Sequence, residues 1–416
     1  MVGEADAAVR ASVGRLAWRP RVAGDARFRR LLLLAALIGM TTSLTSPFIP
    51  IFVTRSLHAT PSELGIFLFV TAGAAVVMNV VFGLASDHGV SQRGLLLTAS
   101  AVGLAGALIY AVSRSYLLLL VVAGTLTACG SSLVPQIFTT ARSLLGAAGG
   151  PRVRSRLAML RAQFSIAWVA GPVAGAAVLA AWGYRGLFAA VGLTFAAVFL
   201  MCARRLGAVA PPSAPQQAGG VTAGPWRLLG MSGVFLALQT ASGIGALALP
   251  LLITRDLRAS TATVGAAFGT AAALEVPLML ALGWVTRRVS PWILLCAGAV
   301  SGSAYYAIVA EATRVWQVLA AQILSALFVA AVMGLGIGLF QDISPRRGGS
   351  ATAWYINIIR ISSMIAGPLV GYGQWVGNRA VLLAASFLCL LGLAGLALLM
   401  RKPGAREREY RERVSA

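Results

Sequence analysis

Long apolar runs, separated by short polar connections, recur at nearly regular intervals along this chain. A helix needs about 20 apolar residues to cross a hydrocarbon layer roughly 30 Å thick. Twelve runs of that size can be marked: 31–53, 64–86, 94–113, 116–140, 157–181, 186–203, 228–253, 260–286, 291–310, 315–340, 350–372 and 380–400. Within lipid every backbone polar group must find a partner inside the protein, so such runs predict spanning helices.

The pattern of runs also repeats. The string Ala170-Gly171-Pro172-Val173-Ala174-Gly175 is followed 196 residues later by Ala366-Gly367-Pro368-Leu369-Val370-Gly371, each inside the fifth run of its half. Gly-Pro in mid-helix costs a soluble helix a hydrogen bond and a steric clash. In a membrane bundle neighbouring helices re-satisfy the freed groups, and small residues let backbones approach closely. Gly171, Pro172, Gly175, Gly367, Pro368 and Gly371 are therefore expected at helix-packing joints of a duplicated protein. The fold class expected is an all-α membrane protein with 12 transmembrane helices in two six-helix, pseudo-symmetric bundles. Between the halves, residues 204–227 contain Pro211-Pro212-Ser213-Ala214-Pro215 and Gly219-Gly220 and read as a linker. The organisation expected is a basic N-terminal segment (1–30), a first bundle (31–203), the linker (204–227), a second bundle (228–400) and a charged tail (401–416).

Composition agrees: 58% of the 416 residues are hydrophobic and 11% charged, with a mean hydropathy of +0.83. A net charge of +22 would suggest a nucleic-acid partner in a soluble protein. Its distribution points elsewhere. Of 34 Arg and Lys residues, 24 fall on the side of the termini and 7 on the other, leaving Arg142, Arg161 and Arg360 inside helices. That bias places both termini in the cytoplasm. The first apolar run is longer than the core of a cleavable signal and lacks its small-residue cleavage site. Cys129, Cys202, Cys296 and Cys389 lie in separate runs and read as packing residues. With only two histidines, no cluster suited to metal binding or nucleophilic catalysis can be assembled, so neither an enzyme nor a cofactor or metal site is expected.

Ionisable groups in hydrocarbon are costly and are functional candidates by default. Glu275 is the one acid deep inside a run, and it is the candidate for proton coupling. A permanent structural ion pair is the alternative. Arg161 and Arg360 are the counter-charges expected and are also candidates for substrate contact, with snorkelling of Arg161 to the headgroups as the alternative. Arg161 shares a helical stripe with Ser165, Trp168, Pro172 and Gly175, at spacings of three and four. Arg360 is some ten residues into its run, about 15 Å of helix, and too deep for easy contact with headgroups. Amides both donate and accept, which suits a ligand with many hydroxyls. Gln136, Gln163, Gln239, Gln322 and Asn357 are accordingly candidates for a polar, uncharged substrate, with helix-to-helix adhesion as the alternative. Trp168 and Tyr355 are the aromatic faces backed for ligand contact, Tyr305 and Tyr306 being assigned to the membrane rims.

Twelve helices, a central linker and the turn from Gly83 through Asp87 to Arg93 resemble the major facilitator superfamily. The stretch around Pro172 is similar to a motif of its exporters. A narrower likeness lies in Leu160-Arg161-Ala162-Gln163 through Pro172, in Leu274-Glu275-Val276-Pro277 and in Phe340-Gln341-Asp342. These resemble bacterial sugar efflux transporters, whose pattern lacks a counterpart of Arg360. The resemblance implies a secondary active exporter of sugars or glycosides, working by alternating access with proton antiport in the bacterial inner membrane. Multidrug or other small-metabolite efflux within the same superfamily is the alternative. The partners implied are a small-molecule substrate, protons and the lipid bilayer, with no nucleic acid, and the chain is expected as a monomer. Asp87 with Arg93, and Asp342 with Arg346, are expected as conformational latches.

Overall fold

The computed structural model describes residues 26–145, 151–205, 225–343 and 348–400. The expected segment 1–30 falls largely, and the linker and tail almost wholly, outside those residues. Within them the chain is a bundle of helices: α1 (Ala26–Ser43), a 3-10 turn (Ser46–Phe48), α2 (Ile49–Ser56), α3 (Pro61–Asp87), α4 (Gln92–Val112) and α5 (Tyr116–Val122). A π-turn (Ala123–Thr127) leads into α6 (Ala128–Ser131) and α7 (Leu133–Leu145), followed by α8 (Pro151–Arg205). The second half comprises α9 (Pro225–Leu251) with a π-turn (Leu252–Asp256), α10 (Thr261–Val285), α11 (Pro291–Glu311), α12 (Val315–Ile343), α13 (Gly348–Val376) and α14 (Asn378–Met400).

Among the described residues ten helical segments are long and apolar enough to cross a membrane, not twelve. The difference has two local causes. One segment, Met159–Arg204, is 46 residues long and joins the fifth and sixth expected runs. It bends at Gly183, whose φ of 62° and ψ of −165° leave the helical region, a conformation glycine adopts without steric cost. The eleventh expected run is a 29-residue helix, α13, whose Asn357 and Arg360 dilute its apolar content.

Helix starts are fixed by short side chains before the apolar runs. Thr60 accepts from the Glu63 amide while the Glu63 carboxylate accepts from the Thr60 amide at 2.7 Å, a reciprocal cap on α3. Ser91 and Ser260 cap α4 and α10 in the same way, each from one side only. At the far end of α3, buried Gln92 donates to Ser86 at 2.5 Å. Arg93 is spent on the carbonyls of Cys202 (3.1 Å) and Ala203 (2.5 Å) at the end of α8, whose last carbonyls have no helical partner. The expected Asp87–Arg93 latch is thus not formed in this conformation, and Asp87 is exposed. The Asp342–Arg346 pairing lies outside the described residues.

In the first half α1 and α4 both pack along α8; in the second, α9 and α11 pack on α14. Two seams join the halves, α3 against α13 and α8 against α10. Both Gly-Pro strings lie in them. A Cβ on Gly65 would sit 3.4 Å from Pro368 Cα, and one on Gly371 would run into the Gly65 backbone. Across the other seam, a Cβ on Gly265 would come within 2.9 Å of the Pro172 carbonyl. The sequence repeat is nevertheless used unequally. Gly367 and Gly371 face α3 of the opposite half, whereas Gly171 and Gly175 face Ser43, Leu44 and Phe48 of their own.

These contacts gather at one end of the bundle, beside the connections 57–60 and 257–260. At the other end of the same two helices, Gly83 and Gly283 have open space where a side chain would be. The closed end also carries a repeat that an offset of 196 conceals. Pro50-Ile51-Phe52-Val53-Thr54-Arg55 through Ala59 recurs 200 residues later as Pro250-Leu251-Leu252-Ile253-Thr254-Arg255 through Ala259. Thr54 and Thr254 donate to the carbonyls of Pro50 and Pro250 at 2.9 and 2.8 Å. His58 and Arg258 share a left-handed φ, 54° and 51°. One arginine of the pair crosses between halves: Arg55 donates to the Thr254 carbonyl. Its counterpart, Arg255, donates to Gln374 within its own half at 2.8 Å.

Gly371→Val is expected to push this end apart, since the obstacle is backbone rather than a movable side chain. Spin labels on exposed Ser62 and Trp375 should then report longer distances than in the parent protein; an unchanged distribution would show that the seam tolerates the added bulk. Arg55→Gln should act more weakly. A hydrogen bond between membrane helices averages about 0.6 kcal/mol, roughly a threefold change in a conformational equilibrium. A shift as large as that of Gly371→Val would assign the closure to the arginine instead.

Candidate functional site

Closing one end and leaving the other free encloses a cavity of about 460 Å³ at mid-height of the bundle. Its walls come from α8, α9, α10, α11 and α12, so four of five contributing helices belong to the second half. The α8 wall is the stripe inferred from spacing: Phe164, Ser165, Trp168, Val169 and Pro172. Trp168 is 38% exposed, and its ring lies 6.5 Å from that of Phe164. Facing it, α10 contributes Phe268, Glu275 and Met279. The antiparallel seam explains that opposition, because Gly269 lies against Val173 and Val169 and continuing the register brings Glu275 towards Ser165.

Of the residues singled out for proton coupling or substrate contact, the cavity brings together Glu275, Trp168 and Gln322, with Ser165 and Pro172 of the same α8 stripe as Trp168. Gln322 is almost wholly buried and donates to the Val318 carbonyl at 3.0 Å and to Tyr305 at 3.4 Å. The remaining candidates lie elsewhere. Tyr355, 1% exposed, donates to the Val332 carbonyl at 3.0 Å and accepts from Gln239 at 3.1 Å. That pair ties α9, α12 and α13 together beside Phe235 and Phe340. Gln136 is buried in the first half with its Oε1 unpartnered. Gln163 is half-buried, while Arg161 and Asn357 are exposed and Arg360 is half-buried, all four outside the cavity lining.

The charge pairing expected for Glu275 is not formed here. Among the described residues its carboxylate has no hydrogen bond or ion pair, and neither Arg161 nor Arg360 lines the cavity. Its polar neighbours are neutral: Ser165, Ser242, Ser325 and Gln322. Tyr305 and Tyr306, assigned from the sequence to the rims, instead line the cavity, their rings 4.9 Å apart. The signal was present in Gly245 on α9, where a Cβ would come within 2.6 Å of the Tyr306 ring; sequence alone does not say which helix meets which. Among the described residues no three of His, Cys, Asp and Glu gather as a metal site, and all four cysteines are free.

What this arrangement can do chemically is hold a small molecule between an aromatic wall and a carboxylate, in a space closed towards one face. Known proteins share the framework. The nucleoside transporter NupG superposes with a TM-score of 0.73 at 12% identity, over 91% of this chain and 100% of that one. A transporter of the POT family, in complex with a thioalcohol-conjugated peptide, gives 0.73 at 10% identity, over 90% of this chain and 95% of that one. At such identities the likeness concerns the fold alone. Sequence relatives are nearer. "Sugar efflux transporter A" of Dickeya chrysanthemi is 30% identical over 377 residues, 89% of this chain and 93% of the relative. "Sugar efflux transporter B" of Salmonella typhimurium is 30% identical over 372 residues, 86% and 93% respectively. The sequence model of the Major Facilitator Superfamily matches twice, at residues 31–247 and 231–414, once for each half of the duplicated fold. This chain belongs to the Major Facilitator Superfamily and, within it, to the sugar efflux transporter family.

Proposed function

We propose that this chain is a secondary active exporter of sugars or glycosides across the bacterial inner membrane, driven by proton antiport and working by alternating access. The observation that carries this reading is the mid-height cavity, closed at one end, in which Trp168 faces the side of Glu275. A flat indole suits the apolar face of a sugar ring, and serines with Gln322 suit its hydroxyls. The excess of Arg and Lys on the side of the termini supports an orientation with the open end towards the cytoplasm, where an exporter collects its cargo.

The two halves would rock about this site. Their closest approaches are at Gly65 with Gly371 and at Gly265 with Pro172, and it is there that the halves would part at the closed end. Glu275 would exchange its proton with one face and then the other as the halves rock. Because its carboxylate has no fixed partner in this conformation, it is available to do so, and an ion pair with Arg161 or Arg360 would belong to another state. The chain would act as a monomer, since one chain supplies the whole cavity.

The cavity walls also favour a second reading. Phe164, Trp168, Phe268, Tyr305 and Tyr306 add aromatic faces to walls that are otherwise mostly aliphatic, which suits an amphipathic cargo such as a glycoside with an apolar substituent, or a drug.

Liposomes holding the purified protein and labelled lactose or alkyl glucoside should release the sugar when a pH step is applied. Failure to move any sugar while an amphipathic dye is moved would replace the first reading by the second. Glu275→Gln should lose the pH-driven component, and an undiminished response would remove the carboxylate from coupling. Trp168→Ala should raise KM more than it lowers kcat, by roughly tenfold for the loss of one aromatic contact. An unchanged KM would place the sugar elsewhere.

A further inference from the structure

Glu275 is the one acidic or basic side chain among the residues lining the cavity. The other titratable groups there, Tyr305 and Tyr306, are buried phenols 3% exposed. Charged groups on the packed elements stand away from it: Arg161 on α8 and Arg360 on α13 are not part of the lining, and α9, α11 and α12 contribute none to it. Among the described residues the carboxylate has no hydrogen-bond or ion-pair partner of its own.

In its ionised form, a lone carboxylate beside aromatic side chains carries an uncompensated charge, and what it then lacks is a cation. Neutral hydroxyls can donate to it but leave its charge in place. An ammonium group supplies both the hydrogen bonds and the opposite charge. The surrounding faces favour the same ligand, because Trp, Tyr and Phe rings attract a cation over their faces, more strongly when water is excluded. Trp168 lines the wall across from Glu275, with Phe164 and Phe268 nearby. An anionic group would meet the reverse on every count.

Resting on the reading of this cavity as the transport site, we propose that it selects sugars or glycosides bearing a protonated amine over their neutral counterparts, with Glu275 as the specificity determinant. Ser165, Ser242, Ser325 and Gln322 serve the remaining hydroxyls. The aromatic walls take the apolar face of the ring.

Titration calorimetry of the purified full chain in detergent tests this with three probes: methyl 6-amino-6-deoxyglucoside, its N-acetylated form and methyl glucoside. Acetylation keeps the added nitrogen and removes its charge. The amine is expected to bind roughly tenfold more tightly than either neutral probe, the scale of one desolvated charge contact. Glu275→Gln should bring that ratio to about one, and Glu275→Asp, which keeps the charge, should preserve most of it. Equal affinities in the parent protein overturn the inference, as does a preference that survives Glu275→Gln. Should Glu275→Gln not fold, the comparison of amine with N-acetyl form in the parent protein and in Glu275→Asp decides alone. The transport reading is tested separately, by counterflow of labelled methyl glucoside in proteoliposomes. Absent counterflow overturns that reading, whereas counterflow with no preference for the amine overturns only the selectivity.

Discussion

The close approach of helices across the two seams is the constraint on which the rest of this structure depends. Gly371 against Gly65, and Gly265 against Pro172, bring backbones so near that a Cβ on Gly371 or Gly265 would collide with the facing main chain. In lipid there is little hydrophobic gain from pressing one apolar helix on another, so contact of this kind relies on packing and on small residues. Confined to one end, it holds that end shut and lets the same helices diverge towards the other. The cavity is the space left between a tight end and a free one.

That geometry also decides what the cavity contains. The residues of α8 that pack at Pro172 stand on the stripe carrying Trp168 and Ser165, so the joint and the aromatic wall are two stretches of one helical face. Across the seam, α10 runs antiparallel and, by the register set where Gly269 meets Val169 and Val173, delivers Glu275 towards Ser165. Movement at the joint must therefore change what surrounds the carboxylate. At the closed end, Arg55 reaches the Thr254 carbonyl across the halves while Arg255 stays within its own. Duplication supplied two arginines in matching positions, and only one bridges.

Some of this was legible in the chain. The apolar runs, the break near Gly183, the Gly-Pro joints and the α8 stripe all follow from period and residue type. So does the depth of Glu275 within its apolar run, which the structure sets in the lining of the cavity. Tyr355 and Tyr305 mark where legibility ended. Both are tyrosines in apolar helices, yet Tyr355 is locked onto Gln239 and Val332 while Tyr305 lines the cavity. The repeat around Arg55 and Arg255 was readable but displaced: its copies are 200 residues apart, against 196 for the Gly-Pro strings. Loops of different length shifted one register against the other.

By itself, then, the sequence determined which segments become helices and where those helices touch most closely. A backbone in hydrocarbon has little alternative to a helix, and glycine at a fixed spacing marks where another backbone can approach. It did not determine how each helix is rotated about its own axis, which is set by the neighbours it meets. That rotation, decided only in the tertiary structure, turned Tyr355 into the bundle and Tyr305 with Tyr306 towards the cavity. It also left Glu275 without the arginine partners that linear distance had offered.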